Sequence, residues 1–267
     1  MLELNTLKYA YVRGFILNNH LTDYYDVATK SIESLNDSDI LLLNKVIKTY
    51  NLKTYYFKEK EILPRVKIVL GFLRNIQPES LLDVGSGRGV FLFPFLCEFP
   101  NCNVSSIDIL ERRVELLNNI SLGGINNLTA NLLSITEFNE YNKYDCVTLL
   151  EVLEHIPDVK LAIRNAINLS KKFIVVTVPS KEDDNKEHIH LLTKTILTEI
   201  FNNNGVYNLK FSGVNGHLVL IATKQVISWI TKFINIQEQD ILKDQDFKSE
   251  MKIWVKYHLS LFLENIL

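Results

Sequence analysis

Apolar residues along this chain follow one period near the start, a second through the middle and the first again near the end. In residues 1–77 the spacing is helical. "DSDILLLNKVIKTY" opens on residues that cap helix N-termini and continues with apolar positions three and four apart. "EKEILPRVKIVLGFLRNI" resumes that spacing and is closed by "QPES". From 78 to 224, short apolar runs alternate with helical segments. "SLLDV", "NVSSIDI", "NLTAN", "YDCVTLLEV" and "KFIVVTVPS" read as strands. "GVFLFPFLCEF", "ERRVELLNNI", "VKLAIRNAINL" and "TKTILTEIFNNNG" read as the helices between and after them. Such alternation predicts crossover units and a mostly parallel sheet covered on both faces. "VYNLKFSGVNGHLVLIAT" breaks the rule: two strands meet at a Gly/Asn turn with no room for a helix, which predicts an antiparallel hairpin.

After Lys224 the helical period returns, with Trp229, Ile230 and Phe233 and then Met251, Val255, Leu259 and Phe262 on common faces. The expected organisation is a helical cap or lid over 1–77, an α/β domain over 78–224 and a helical extension over 225–267. The extension is expected to pack on the domain or on a second copy, as a homodimer joined through terminal helices.

Composition narrows the function classes. The chain has 267 residues, 47% hydrophobic and 22% charged, with a formal net charge of −2, which are globular values. No block of Lys and Arg supplies a broad footprint for nucleic acid, although a small site for an RNA end needs none. Cys97, Cys102 and Cys146 lack metal spacing and fall in apolar strand or helix patterns, so buried, reduced thiols are expected. The start shows no basic stretch followed by an apolar one, and no apolar run reaches the length needed to span a bilayer. A cytoplasmic protein without a membrane span is expected.

The first candidate chemistry is "LLDVGSGRG", where a strand gives way to a helix through Gly85, Ser86, Gly87 and Gly89, with Asp83 two residues before the first glycine. Glycines there allow a tight turn whose backbone N–H groups approach a ligand closely. Dinucleotide folds use such a turn for pyrophosphate. The tighter spacing here, with its acid, suits a ligand bearing carboxylate and ammonium groups. The next strand ends in Asp108, followed by Ile109. A carboxylate at that edge accepts hydrogen bonds from both hydroxyls of a ribose, or caps the helix that follows. Asn131 and Leu132 end the third strand, placed to hydrogen-bond to an adenine and to pack on it.

On these motifs residues 80–224 resemble the class I S-adenosylmethionine-dependent methyltransferases. They carry "DVGSGRG", the acid ending the second strand, "YDCVTLLEVLEHI" and the closing hairpin. The resemblance implies an α/β, doubly wound, seven-stranded sheet of order 3-2-1-4-5-7-6 with strand 7 antiparallel. S-adenosylmethionine would lie across the carboxyl ends of strands 1, 2 and 4. The cofactor-binding residues would be Asp83, Gly85, Ser86, Gly87, Gly89, Asp108, Ile109, Asn131, Leu132 and Glu151.

The second candidate is "EVLEHIPD". Glu151 emerges from strand 4 beside the expected sulfonium, and Glu151, Glu154 and His155 are spaced to share one face of a helical turn. The loop after strand 5, "KEDDNKEHIHLLT", brings His188 and His190 to the same edge. Glu151 and His155 are the candidate catalytic residues, since a hydroxyl acceptor needs a base or a metal to become nucleophilic. Glu151, Glu154, His155, His188 and His190 together are candidate ligands for a divalent cation, Mg or Mn. The turn is similar to that of bacterial RNA 3′-terminal ribose 2′-O-methyltransferases, although their arginine-rich stretch is absent. In wording it is closer to the ubiquinone-biosynthesis-type O-methyltransferases. A small-molecule substrate is expected from the second likeness and an RNA end from the first. Tyr55 and Tyr56 precede strand 1 by a helix and are placed to stack on substrate or to glue the cap to the sheet. His217 reads as a structural residue of the hairpin, with a place facing the substrate pocket as the alternative.

Overall fold

The computed structural model describes residues 3–58, 61–138, 140–181 and 184–224. The helical reading of 225–267 lies outside the described residues.

Seven strands form a single sheet: β1 (Ser80–Val84), β2 (Asn103–Asp108), β3 (Leu128–Leu132), β4 (Tyr144–Leu150), β5 (Ser170–Pro179), β6 (Asn208–Val214) and β7 (His217–Thr223). Their order is β3-β2-β1-β4-β5-β7-β6. Strands β1 to β5 pair in parallel, and β7 runs antiparallel to both β5 and β6. This is the order that the resemblance to the methyltransferases implies, and the parallel strands with a closing hairpin are what the alternating pattern predicts. The central strands are largely buried because helices cover both faces, and the polar residues they carry, Asp83, Ser106, Asp108 and Thr148 among them, are buried too. The β6–β7 turn is Asn215–Gly216, both at positive φ (45° and 81°), as a two-residue hairpin turn requires.

One face of the sheet buries Leu81, Val104 and Leu128 against α4 (Pro64–Ile76), α5 (Leu92–Glu98) and α6 (Glu111–Leu122). The other buries Leu82, Val147 and Val176 against α7 (Val159–Leu169) and α8 (Lys194–Asn203). Local signals set the helix ends. Pro64 opens α4, Asp158 accepts the Leu161 N–H at α7, and Thr193 accepts the Ile196 N–H at α8.

Before the sheet come α1 (Leu4–Asn18), α2 (Tyr25–Thr29) and α3 (Asp37–Thr49). Asn36 and Asp39 form a reciprocal capping box at α3. Helix α1 joins two cores. Leu7 and Ala10 belong to the core of the sheet, whereas Val12 and Ile16 pack with Val27, Leu43 and Val46 of α2 and α3. It lies backbone to backbone on α6: a Cβ on Gly14 would meet the Asn119 carbonyl oxygen at 1.8 Å, and one on Gly123 would meet that of Ala10 at 1.8 Å. Arg13 is buried beside this contact and donates to the carbonyls of Ala28 (3.2 Å), Gly123 (2.6 Å) and Lys30. It thereby satisfies the end of α6 and ties α2 to it.

Candidate active site

The turn between β1 and α5 is held from beneath by Asp83. Its register places it opposite Ser106 of β2 and Thr148 of β4. The Thr148 hydroxyl donates to Asp83 Oδ1 at 2.7 Å, and the Ser86 hydroxyl donates to Oδ2 at 2.5 Å. Burial pushes the Asp83 carboxyl up to about 6, offset by these two hydrogen bonds and reinforced by the charge of Asp108. Gly85, Gly87 and Gly89 all have positive φ (66°, 55° and 75°). At Gly85 there is a second demand: a Cβ would lie 2.7 Å from Val152 Cγ2. The glycine turn therefore abuts the segment leaving β4.

Asp108 does not cap α6, whose N-cap is Leu110, but ties two backbone segments together. Its Oδ1 accepts the Leu110 N–H at 2.9 Å at the head of α6, and its Oδ2 accepts the Gly87 N–H at 3.3 Å. Each carboxylate oxygen keeps a further lone pair for a ligand hydroxyl. Beside it Ile109 is 72% exposed and Leu132 is 55% exposed. Asn131 is exposed next to Leu132. Large apolar side chains standing free at the carboxyl ends of β2 and β3 suit the face of an adenine ring. An open glycine turn, an acid with spare acceptors and an apolar shelf fit a nucleoside with an amino-acid tail. S-adenosylmethionine is such a molecule.

The second cluster does not gather as the sequence implies. Glu151, Glu154 and His155 are not on one helical face. Glu151 follows β4 at φ +57°, and only Leu153–His155 form a short 3-10 turn. The left-handed residue turns the chain, so Glu151 and Glu154 take different partners. Glu151 Oε1 accepts from the Thr177 hydroxyl at 2.7 Å and lies 3.7 Å from Arg65 Nε; its Oε2 lies 2.9 Å from His217 Nδ1. The other ring nitrogen of His217, Nε2, is 3.4 Å from Arg65 Nη1. His217 is more than a hairpin residue, because pairing with Pro179 sets it at the carboxyl edge of β5.

The five-residue cation site is likewise corrected. Ligand atoms of Glu154, His155 and His188 lie within 4.8 Å of one another. Glu151 is engaged elsewhere, and His190 Nε2 faces the carbonyls of Ile156 (3.1 Å) and Pro157 (3.2 Å). The three are joined because the Ile189 N–H donates to the Glu154 carbonyl at 2.9 Å, folding the loop after β5 onto the 3-10 turn. His155 Nδ1 lies 2.9 Å from the Glu187 carbonyl. Donation there leaves Nε2 as the ligand nitrogen, the usual second contact of a metal-binding imidazole.

Tyr55 and Tyr56 sit in a 3-10 turn, Tyr55–Phe57, with their hydroxyls 2.8 Å apart. Phe57 stacks on Phe93 of α5 (centroids 4.9 Å apart), which anchors this turn over the glycine segment. Sequence reasoning missed Arg65. Its one signal is an Arg directly after the Pro that opens α4.

The comparisons with known proteins agree with this geometry. Residues 57–210 match the family described as Methyltransferase domain, a span of more than half the chain. The chain belongs to that family, and its sheet order and glycine turn make it a class I S-adenosylmethionine-dependent methyltransferase. It is 31% identical over 103 residues to the ubiquinone biosynthesis O-methyltransferase of Rickettsia akari (strain Hartford), covering 38% of this chain and 39% of that protein. It is 33% identical over 105 residues to the ribosomal RNA small subunit methyltransferase G of Streptococcus pyogenes serotype M1, covering 39% of this chain and 41% of that protein. Each match thus spans about two fifths of the relative's length. A Nostoc punctiforme PCC 73102 protein assigned provisionally to the O-methyltransferases superposes with a TM-score of 0.51 at 13% identity, covering 80% of this chain and 72% of that one. That likeness shows the shared fold. Among the described residues no helix is long and apolar enough to cross a membrane.

Proposed function

We propose that the chain methylates a hydroxyl of a small molecule. The observation that carries the reading is the contact of Glu151 with His217 and Arg65 at the carboxyl edge of β4, beside the glycine turn. Gly85, Ser86, Gly87 and Gly89 would hold S-adenosylmethionine together with Asp108 at its ribose and Ile109, Asn131 and Leu132 at its adenine, and the cofactor would supply a methyl group on a sulfonium. Glu151 Oε2, 2.9 Å from His217 Nδ1, steadies positive charge on the imidazole ring, and Nε2 is the nitrogen that takes a proton. An acceptor hydroxyl displaces the Arg65 donor from Nε2 and gives its proton to that nitrogen. The bound cofactor would supply the methyl carbon to that oxygen, and its sulfur would keep the C–S electron pair. Arg65 faces the oxygen as the proton leaves it, where negative charge builds before it is spent on the methyl carbon.

A second reading has one observation in its favour. Glu154, His155 and His188 offer a carboxylate and two imidazoles to one ion, a donor set that suits Mn better than the oxygen-seeking Mg. A cation there would grip vicinal hydroxyls, such as those of an RNA 3′ end.

Labelled methyl transfer to catechols and other phenols, and to a short RNA, separates the two. The first reading expects label on a phenol, unaffected by EDTA and lost in His217→Ala. Label on RNA alone, abolished by EDTA and restored by Mn²⁺, would overturn it in favour of the second. A chain that binds no S-adenosylhomocysteine in calorimetry would sink both.

A further inference from the structure

Arg113, in the first turn of α6, is a buried charge that the site above does not use. It is 9% exposed, and its Nε is fully shielded and has no hydrogen-bond partner. Its one polar contact with a side chain is a long bond from Nη1 to the Tyr56 hydroxyl, 3.4 Å, with the guanidinium carbon 5.7 Å from the centre of that ring. Among the described residues no carboxylate forms an ion pair with it. Arg13, equally buried, shows the contrast by filling its donors with three carbonyls. A buried guanidinium short of acceptors is costly, and it is retained where an anion completes it.

Position narrows the choice of anion. Arg113 follows Asp108 by five residues, and Asp108 is bonded to the glycine turn. Tyr56 is bonded to Tyr55, whose phenol feels the charges of both Arg113 and Arg88 of that turn. The two arginines, one in the turn after β1 and one in the helix after β2, thus gather around the two phenols. A cofactor seated there carries a single anionic group, the carboxylate of its amino-acid end. Arginine meets a carboxylate along two parallel N–H bonds, and the vacant Nε is one side of such a pair.

We propose that Arg113, steadied by Tyr56, binds the carboxylate of S-adenosylmethionine. The proposal rests on the cofactor reading above and adds a residue to it. Calorimetry on the full chain tests it with two ligands: S-adenosylhomocysteine, and decarboxylated S-adenosylmethionine, which keeps the ammonium and lacks the carboxylate. Arg113→Gln is expected to weaken the first about 10- to 100-fold, the usual worth of a charged bidentate contact, and the second less than about threefold. Unchanged affinity for S-adenosylhomocysteine, or an equal loss for both ligands, would overturn the proposal, the latter marking a purely structural arginine. Should Arg113→Gln fail to fold, Tyr56→Phe carries the same comparison, with about a threefold loss expected for S-adenosylhomocysteine alone and equal behaviour counting against the proposal. A wild-type chain that binds neither ligand defeats the cofactor reading itself, and this proposal with it.

Discussion

Glu151 occupies a left-handed backbone conformation that glycine, asparagine and aspartate tolerate and other residues enter at a cost of about 1 kcal/mol or more. The strain is held by the side chain, which Thr177, Arg65 and His217 grip from three sides. Two variants separate backbone from carboxylate. Glu151→Asn keeps a residue suited to the left-handed region, so urea unfolding should show a change within about 1 kcal/mol while methyl transfer falls at least tenfold. Glu151→Val adds a β-branched side chain where φ is positive, and should cost about 2 kcal/mol more than the Asn variant. Equal stability of the two would mean that the backbone geometry carries no strain. The same residue marks where the sequence misleads. Spacing of three and four assumes a helix, and a single left-handed residue after β4 sends Glu151 toward Arg65 and His217 and Glu154 toward His188. No local pattern announces that turn. Arg65 and His217 are 152 positions apart and share Glu151 only through the sheet.

The helices and strands themselves were legible because their periods and punctuation agree. Asp158 and Thr193 stand at real helix starts and "NG" marks the hairpin, whereas α3 is capped by Asn36, one residue before the stretch read as its opening, and α4 begins only at Pro64 within the run read as helical. What pattern cannot reveal is which helix faces touch, since Gly14 and Gly123 look like two more helix-weakening residues. In the fold they are where α1 and α6 press together. Gly14→Ala puts a methyl into the Asn119 carbonyl, which is backbone and cannot rotate away. A loss of about 3 kcal/mol is expected, or roughly 6–12 °C in Tm. Gly71→Ala supplies the opposite sign. It lies within α4 with nothing within 4 Å of an added Cβ, so it should stabilise by about 0.5–1 kcal/mol. Thermal melts of both variants check this, and a Gly14→Ala protein as stable as wild type would refute the close packing of α1 on α6.

For the molecule as a whole, Asp83 links stability to pH. Its folded carboxyl holds a proton up to about 6, whereas the unfolded one releases it near 3.8. Between those values the folded state binds more protons, so stability falls as pH rises, by on the order of 2–3 kcal/mol, and levels off above about 6. Urea unfolding of wild type and Asp83→Asn across pH 4–7 isolates the effect. The difference between them should change over that window and stay flat above it, and a constant difference would contradict the assignment. Sheet order has its own consequence for how the chain is made. Strand β7, last of the seven in sequence, lies between β5 and β6 rather than at a margin. While the ribosome is still synthesising residues before 217, β5 shows an unpaired flank and β6 has no place to dock. A growing chain therefore carries a sticky apolar edge until nearly all of the sheet has emerged, the kind of intermediate that chaperones shield.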